Sequence, residues 1–203
     1  MILDLLLIAT TNPGKLREVI ALLGDLPIRH ETLADHPQVP VAVEDADTFE
    51  GNAEIKALHY ARATGRWTLA DDSGLEVDAL QGAPGVFSAR YAGEGCGDAA
   101  NNGKLLRELE ARPLERRTAR FRCAVALAGP QGPVATATGT LEGFILDAPR
   151  GTNGFGYDPL FFVPELGKAL AEIEPDMKNR ISHRGRALRI IRTQIERLTS
   201  PAA

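Results

Sequence analysis

Ile2-Leu3-Asp4-Leu5-Leu6-Leu7-Ile8-Ala9-Thr10-Thr11-Asn12-Pro13-Gly14-Lys15 is the stretch whose reading decides the fold. From Ile2 to Ala9 it is apolar except at Asp4, as expected of a strand covered on both faces. Thr11-Asn12-Pro13-Gly14 then punctuates the chain. Beyond it Leu16, Val19, Ile20 and Leu23 recur at spacings of three and four, the stripe of an amphipathic helix. Strand, glycine-containing turn and helix together open an α/β protein. The apolar run is too short to cross a membrane and lacks the basic flank of a signal peptide.

Outward from this opening, the periodicities predict a second helix over Thr48–Ala63, with Phe49, Ala53, Ala57, Tyr60 and Ala61 as its apolar face. Trp67–Ala70 reads as a strand that Asp71-Asp72-Ser73-Gly74 breaks, and the alternation at Leu75, Val77 and Ala79 reads as another. Gly82–Gly97 reads as loop and Asn101–Arg112 as helix. Thr118–Ala128 and Val134–Ile145, joined at Gly129-Pro130-Gln131-Gly132, give the clearest hairpin signal in the chain. A short strand at Leu160–Val163 and a C-terminal helix over Arg184–Leu198, with Leu188, Ile191, Ile195 and Leu198 inward, complete a mixed sheet with flanking helices. No repeat or low-complexity linker divides the chain, so residues 1–203 are read as one domain.

Composition narrows the function classes. At 44% hydrophobic and 25% charged residues the chain has an ordinary globular balance, and its length permits a core without disulfide or metal staples. A net charge of −4 argues against a nucleic-acid backbone as partner, though a few local donors suffice for a small polyanion. Cys96 and Cys123 stand far apart and read as free thiols of a reducing, cytoplasmic compartment.

Five segments carry candidate chemistry, each with a plain structural alternative. Thr10–Lys15 leaves a strand and opens a helix, where free N–H groups and the helix dipole favour a phosphate; the same residues also suit an ordinary helix start. It lacks the spacing of a P-loop. Asp72 at a strand end suits Mg²⁺, which takes one or two carboxylates with water and phosphate oxygens, but an Asx turn would look the same. Asp71 should point to the opposite face. Glu44, Asp45, Asp47 and Glu50 lie ahead of a helix, where acids are also favoured by the dipole alone. Asn52 and Lys56, four apart, face one direction, as would residues of a solvated helix side. Gly154-Phe155-Gly156-Tyr157-Asp158 is a loop whose rings suit stacking on a base or burial in a turn. Lys178 to Gly185 concentrates donors, including His183, with Ser182 also eligible as a helix cap. His30, His36 and His59 read as surface or packing residues.

In order and content these stretches resemble the inosine triphosphate pyrophosphatase family. The resemblance rests on Ala9–Lys15 (ATTNPGK), Thr48–Ala53 (TFEGNA), Ala70–Leu75 (ADDSGL), Gly82–Gly93 (GAPGVFSARYAG), Gly154–Pro164 (GFGYDPLFFVP) and Ile181–Leu188 (ISHRGRAL). It implies an elongated mixed α/β sheet in two lobes with a central cleft, a homodimer, and no nucleic-acid or membrane partner. The implied substrate is a nonstandard purine nucleoside triphosphate (ITP, dITP or XTP), cleaved with Mg²⁺ to the monophosphate and pyrophosphate by water attack at the α-phosphorus. On this resemblance Thr10, Thr11, Asn12, Pro13, Gly14 and Lys15 hold the triphosphate, Glu44 and Asp72 hold the metal, and Asp72 acts on the attacking water with Ser73 beside it as a substrate contact. Phe155, Gly156, Tyr157, Asp158, Lys178, His183 and Arg184 match the base side, where His183 and Arg184 would donate to a purine 6-oxo group. The chain departs from the family pattern at Thr11, where many members carry Gly, and at Met177, where an acid often precedes the lysine.

Overall fold

The computed structural model describes residues 2–199. The apolar opening forms β1 (Leu5–Ile8), every residue of it buried, and Pro13 starts α1 (Pro13–Leu23). There follow β2 (Arg29–Thr32), α2 (Phe49–Thr64), β3 (Trp67–Val77), α3 (Asp98–Leu109), β4 (Thr118–Gly129), β5 (Gly132–Ile145), β6 (Phe161–Val163), β7 (Lys168–Ala169), α4 (Pro175–Ile181) and α5 (His183–Thr199). The strands form one seven-stranded sheet in the order β2-β1-β3-β4-β5-β6-β7. β1 pairs in parallel with β2 and β3, while β5–β6 and β6–β7 are antiparallel, so the expected mixed sheet is present.

By its internal contacts the chain, expected to form one domain over 1–203, divides into two compact units. The first comprises 2–72, Cys123–Gly139 and 184–199 of the described residues; the second comprises Ser73–Arg122 and Thr140–His183. Each has its own core. In the first, Leu6 and Ile8 of β1, Val19 and Leu23 of α1, Leu69, Val125 and Leu127, and Leu188, Ile191 and Ile195 of α5 pack together. In the second, Leu75 and Val77, Leu105 and Leu109 of α3, Phe121, Ile145, Tyr157, Leu160 and Phe161 do so.

Helix limits follow local chemistry. Thr48 caps α2 by accepting from the Gly51 N–H at 3.1 Å, and Gly65 ends it in the left-handed conformation at φ 68°. Three sequence readings are corrected. β3 is continuous through Asp71-Asp72-Ser73-Gly74, which neither breaks the strand nor makes an Asx turn. Gly82–Gly97 is not all loop, because Gly85–Arg90 forms a 3₁₀ helix. Ile20, assigned to the inner stripe of α1, is 44% exposed, while Val19 and Leu23 are buried. β2, β7 and α4 lie where no strand or helix was expected. Among the described residues no helix is long and apolar enough to cross a membrane.

Candidate functional site

In the first unit, β1 delivers Thr10 and Asn12 to the start of α1. Asn12 is the helix cap: its Oδ1 accepts from the N–H groups of Gly14 (2.8 Å) and Lys15 (3.0 Å), and its own N–H donates to Thr10 Oγ1 (3.2 Å). Thr11 and Pro13 are exposed, and Gly14 is buried in the first helical turn. Without a ligand, these amides are therefore satisfied by the chain's own side chain, the usual fate of a helix start.

Lys15 reaches Asp71 on β3, with Nζ 3.1 Å from Oδ2. The same carboxylate oxygen accepts from Arg184 Nε (3.2 Å) and Nη2 (3.1 Å), and Arg184 Nη1 pairs with Glu18 of α1. Burial opposes the ionisation of Asp71, but Lys15 and Arg184 outweigh it and hold this acid well below the usual carboxylate range. Burial likewise works against the Arg184 charge, and Asp71, Cys123 and Glu18 together more than compensate. Arg184, expected to donate to a base, places its guanidinium on Asp71 and Glu18 in the first unit. Cys123 lies 3.9 Å from Asp71 Oδ2, and burial followed by this negative neighbour pushes its thiol up to about 12.

Asp72 takes other partners, as alternation along a strand requires. Asn52 Nδ2 donates to Asp72 Oδ2 at 3.2 Å, and Lys56 Nζ lies 3.3 Å from Oδ1 and 2.7 Å from Glu44 Oε2. Asn52 Oδ1 in turn accepts from the Ala46 N–H, tying α2 to the acidic segment ahead of it. Burial raises the Asp72 pKa; Lys56 and Lys15 pull it back, while Glu44 and Asp71 push it further up. Lys56 keeps its charge more firmly than usual despite burial because Asp72, Asp71 and Glu44 surround it. The sequence offered Asn52 and Lys56 only as a spacing of four, and gave no sign of Glu18 as a partner of Arg184.

Glu44 and Asp72 converge on one ammonium nitrogen, so two hard carboxylate oxygens already face a single cationic centre. Among the described residues no group of three or more His, Cys, Asp or Glu is placed to hold a metal. That donor set fits Mg²⁺, which takes one or two carboxylates and completes its shell with water and phosphate oxygens. It suits neither a zinc site nor an all-protein calcium cage.

In the second unit, Ser73 follows in β3 and is half-buried. Asp158 Oδ2 accepts from the Phe155 N–H (2.8 Å) and pairs with Lys178 Nζ (2.5 Å), both charged groups being buried. Lys178 Nζ also lies 4.6 Å from the centre of the Phe155 ring. Lys178 is thus paired with Asp158, and Met177 points to solvent, 44% exposed. Tyr157, expected at the substrate, belongs to the core of this unit and donates its hydroxyl to the Ser88 carbonyl at 2.8 Å. His183 is buried with its ring stacked on Phe121 at 4.8 Å and 12°. The structure thus brings Phe155, Asp158 and Lys178 together and packs Tyr157 in the core beside them.

Comparison with known proteins gives one consistent result. The sequence profile of the Ham1 family matches residues 6–194. A protein named dITP/XTP pyrophosphatase from Geobacter sulfurreducens is 56% identical over 190 residues, covering 94% of this chain and 96% of that one. The solved structure of a HAM1 protein from Coxiella burnetii is similar with a TM-score of 0.86 and 44% identity, covering 95% of this chain and 98% of that chain. A nucleoside-triphosphatase / dITP/XTP pyrophosphatase from Mycobacterium abscessus superposes with a TM-score of 0.74 at 43% identity, over 92% of this chain and 97% of that one.

Proposed function

This chain belongs to the Ham1 family, and on that premise we propose a reading of its function and of its site. The protein hydrolyses nonstandard purine nucleoside triphosphates of the ITP, dITP and XTP class to the monophosphate and pyrophosphate. The first unit does the phosphate chemistry, and the second reads the base.

The observation that carries the site reading is the contrast between two consecutive aspartates. Asp71 has its carboxylate taken up by Lys15 and Arg184, whereas Asp72 turns toward Asn52 and toward the Lys56 ammonium that Glu44 shares. In this reading Asp71 is a strut that aims Lys15, and Asp72 is the catalytic group. Asn52 and Lys56 fix one Asp72 oxygen each, so its carboxylate is oriented before substrate arrives.

Water attacks the α-phosphorus. A bond forms between phosphorus and the water oxygen, the bond to the α,β-bridging oxygen breaks, and pyrophosphate leaves with that oxygen. Asp72 orients the water and accepts its proton. Lys15 and the amides at the start of α1, exchanged from Asn12 to the ligand, neutralise the leaving pyrophosphate. Glu44 and Asp72 would hold Mg²⁺, which supplies further charge neutralisation on the phosphate oxygens when bound.

On the base side, Phe155 offers a ring edge or face for stacking, and Lys178 with Asp158 and His183 offers polar groups. A site built to donate to a 6-oxo group disfavours adenine by about 1–3 kcal/mol per donor left unpaired. The homodimer and the cytoplasmic location implied by the family resemblance complete this reading, and light scattering on the purified protein tests the former.

The function is tested by incubating the protein and Mg²⁺ with ITP, XTP, dITP, GTP, ATP and dUTP, scoring pyrophosphate against orthophosphate. ITP, XTP and dITP should release pyrophosphate fastest. Turnover of ATP as fast as ITP would sink the base assignment, and orthophosphate as the product would sink the reaction.

A further inference from the structure

Gly156 is held from both sides by side chains of α3. Its N–H donates to Asp98 Oδ2 at 2.7 Å, and its carbonyl accepts from Asn102 Nδ2 at 3.0 Å. Asp98 and Asn102 are four apart, so they lie on one face of the helix, one turn above the other. Gly156 has φ 62°, and no atom lies within 4 Å of where a Cβ would stand. Glycine is there for its left-handed backbone, not for lack of room.

That backbone freedom must be removed somewhere, because an unfixed glycine next to Phe155 would let its ring wander. The loop closes on itself through Asp158, which accepts from the Phe155 N–H and whose own N–H donates to the Phe155 carbonyl at 3.3 Å. The remaining restraint on Gly156 comes from α3. The next helix residue, Asn101, faces elsewhere and braces the preceding turn: its Oδ1 accepts from Ala92 N–H at 2.8 Å and its Nδ2 donates to the Ala89 carbonyl at 3.2 Å. That turn carries Ser88, whose carbonyl receives the Tyr157 hydroxyl. One helix therefore fixes the two residues that follow Phe155, Gly156 directly and Tyr157 through the turn carrying Ser88, and Asp98 acts from an exposed position outside the core.

We propose that Asp98 and Asn102 are positioning residues for base discrimination: by clamping both peptide groups of Gly156 they set the pose of Phe155 beside Lys178. The proposal rests on the reading of Phe155 and Lys178 as base-side residues. A first-turn aspartate also stabilises its own helix through the dipole, and the test must separate that role from the clamp. Asp98→Asn keeps the acceptor but loses the charge, whereas Asp98→Ala loses both.

The experiment compares Asp98→Ala, Asp98→Asn, Asn102→Ala and the wild-type protein in full-length form with Mg²⁺. It measures kcat and KM for ITP and ATP, inhibition by tripolyphosphate, which has no base, and the thermal midpoint. Asp98→Ala and Asn102→Ala should raise KM for ITP and cut the ITP-over-ATP preference by about tenfold, with kcat within about twofold of wild type. Tripolyphosphate inhibition should not change, and Asp98→Asn should restore the preference. An unchanged preference in Asp98→Ala, an equal loss of tripolyphosphate affinity, or an Asp98→Asn protein as impaired as Asp98→Ala overturns the clamp. Asp98 is exposed, so its variants keep the test open should Asn102→Ala fail to fold. A wild-type protein that does not cleave ITP refutes the base-side reading instead, and the two failures are distinct.

Discussion

Asp71 and Asp72 share a strand, a sequence dipeptide and a buried setting, and differ only in what faces them. Asp71 meets Lys15 and Arg184, while Asp72 meets Asn52, Lys56 and Glu44. Replacing Asp71 by Asn leaves the buried Arg184 and Lys15 with too little negative charge. Losing one partner of such a buried network costs on the order of 3 kcal/mol, which urea unfolding should register. Asp72→Asn should keep its bond from Asn52, unfold at nearly the wild-type urea concentration and still bind nucleotide, yet lose almost all turnover. Full activity in that variant would remove Asp72 from the chemistry. Cys123 gives a third check. Its thiol is buried and pushed up to about 12, so near neutral pH iodoacetamide should label Cys96 in the folded protein and spare Cys123, with Cys123 thiolate appearing only toward that high pH. That the two acids point apart was readable from strand alternation. That Arg184 would be the partner of Asp71 was not, because no local signal links residues so far apart in the chain.

At the level of elements, local patterns located what local chemistry builds. The apolar run before Pro13 and the apolar faces of α2 and α5 stand as periodicity predicts. β3 did not, since Asp-Asp-Ser-Gly has the composition of a turn. The reason for Gly74 is tertiary: a Cβ there would run into Ser88 Oγ and stand 2.5 Å from the Gly85 carbonyl oxygen. Ser88 is committed at that point, accepting from the Leu75 N–H and donating to Gly85. β2 was missed because Arg-His-Glu-Thr carries no apolar alternation; it is an edge strand paired only with β1. The glycines of the Phe155 loop give an element-scale prediction. A Cβ on Gly154 would strike the Asp158 carboxylate that holds Phe155 and Lys178, while one on Gly156 meets nothing. Gly154→Ala should therefore raise KM for ITP far more than Gly156→Ala. Gly156→Ala should show mainly the cost of a left-handed alanine, about 1 kcal/mol of stability. Equal effects of the two on KM would mean that the Asp158 carboxylate does not shape the base side.

At the scale of the whole molecule, the acidic balance of the chain and the donors gathered around the start of α1 fit a small polyanion better than a nucleic-acid backbone. The mixed sheet was legible from the order of strand and helix signals. The division into two units followed only from the family resemblance, because no linker marks it: β3 passes from one unit to the other between Asp72 and Ser73, in mid-strand. The residues assigned to the triphosphate and the metal belong to the first unit, and Ser73 beside Asp72 belongs to the second. Of those assigned to the base, Phe155, Asp158, Lys178 and His183 belong to the second, and Arg184 to the first. The central claim is that this machinery directs water to the α-phosphorus. Turning over ITP with Mg²⁺ in ¹⁸O-enriched water and weighing the products by mass spectrometry tests it most directly. The account predicts one ¹⁸O atom in inosine monophosphate and none in pyrophosphate; label in the pyrophosphate, or release of labelled orthophosphate, would contradict it.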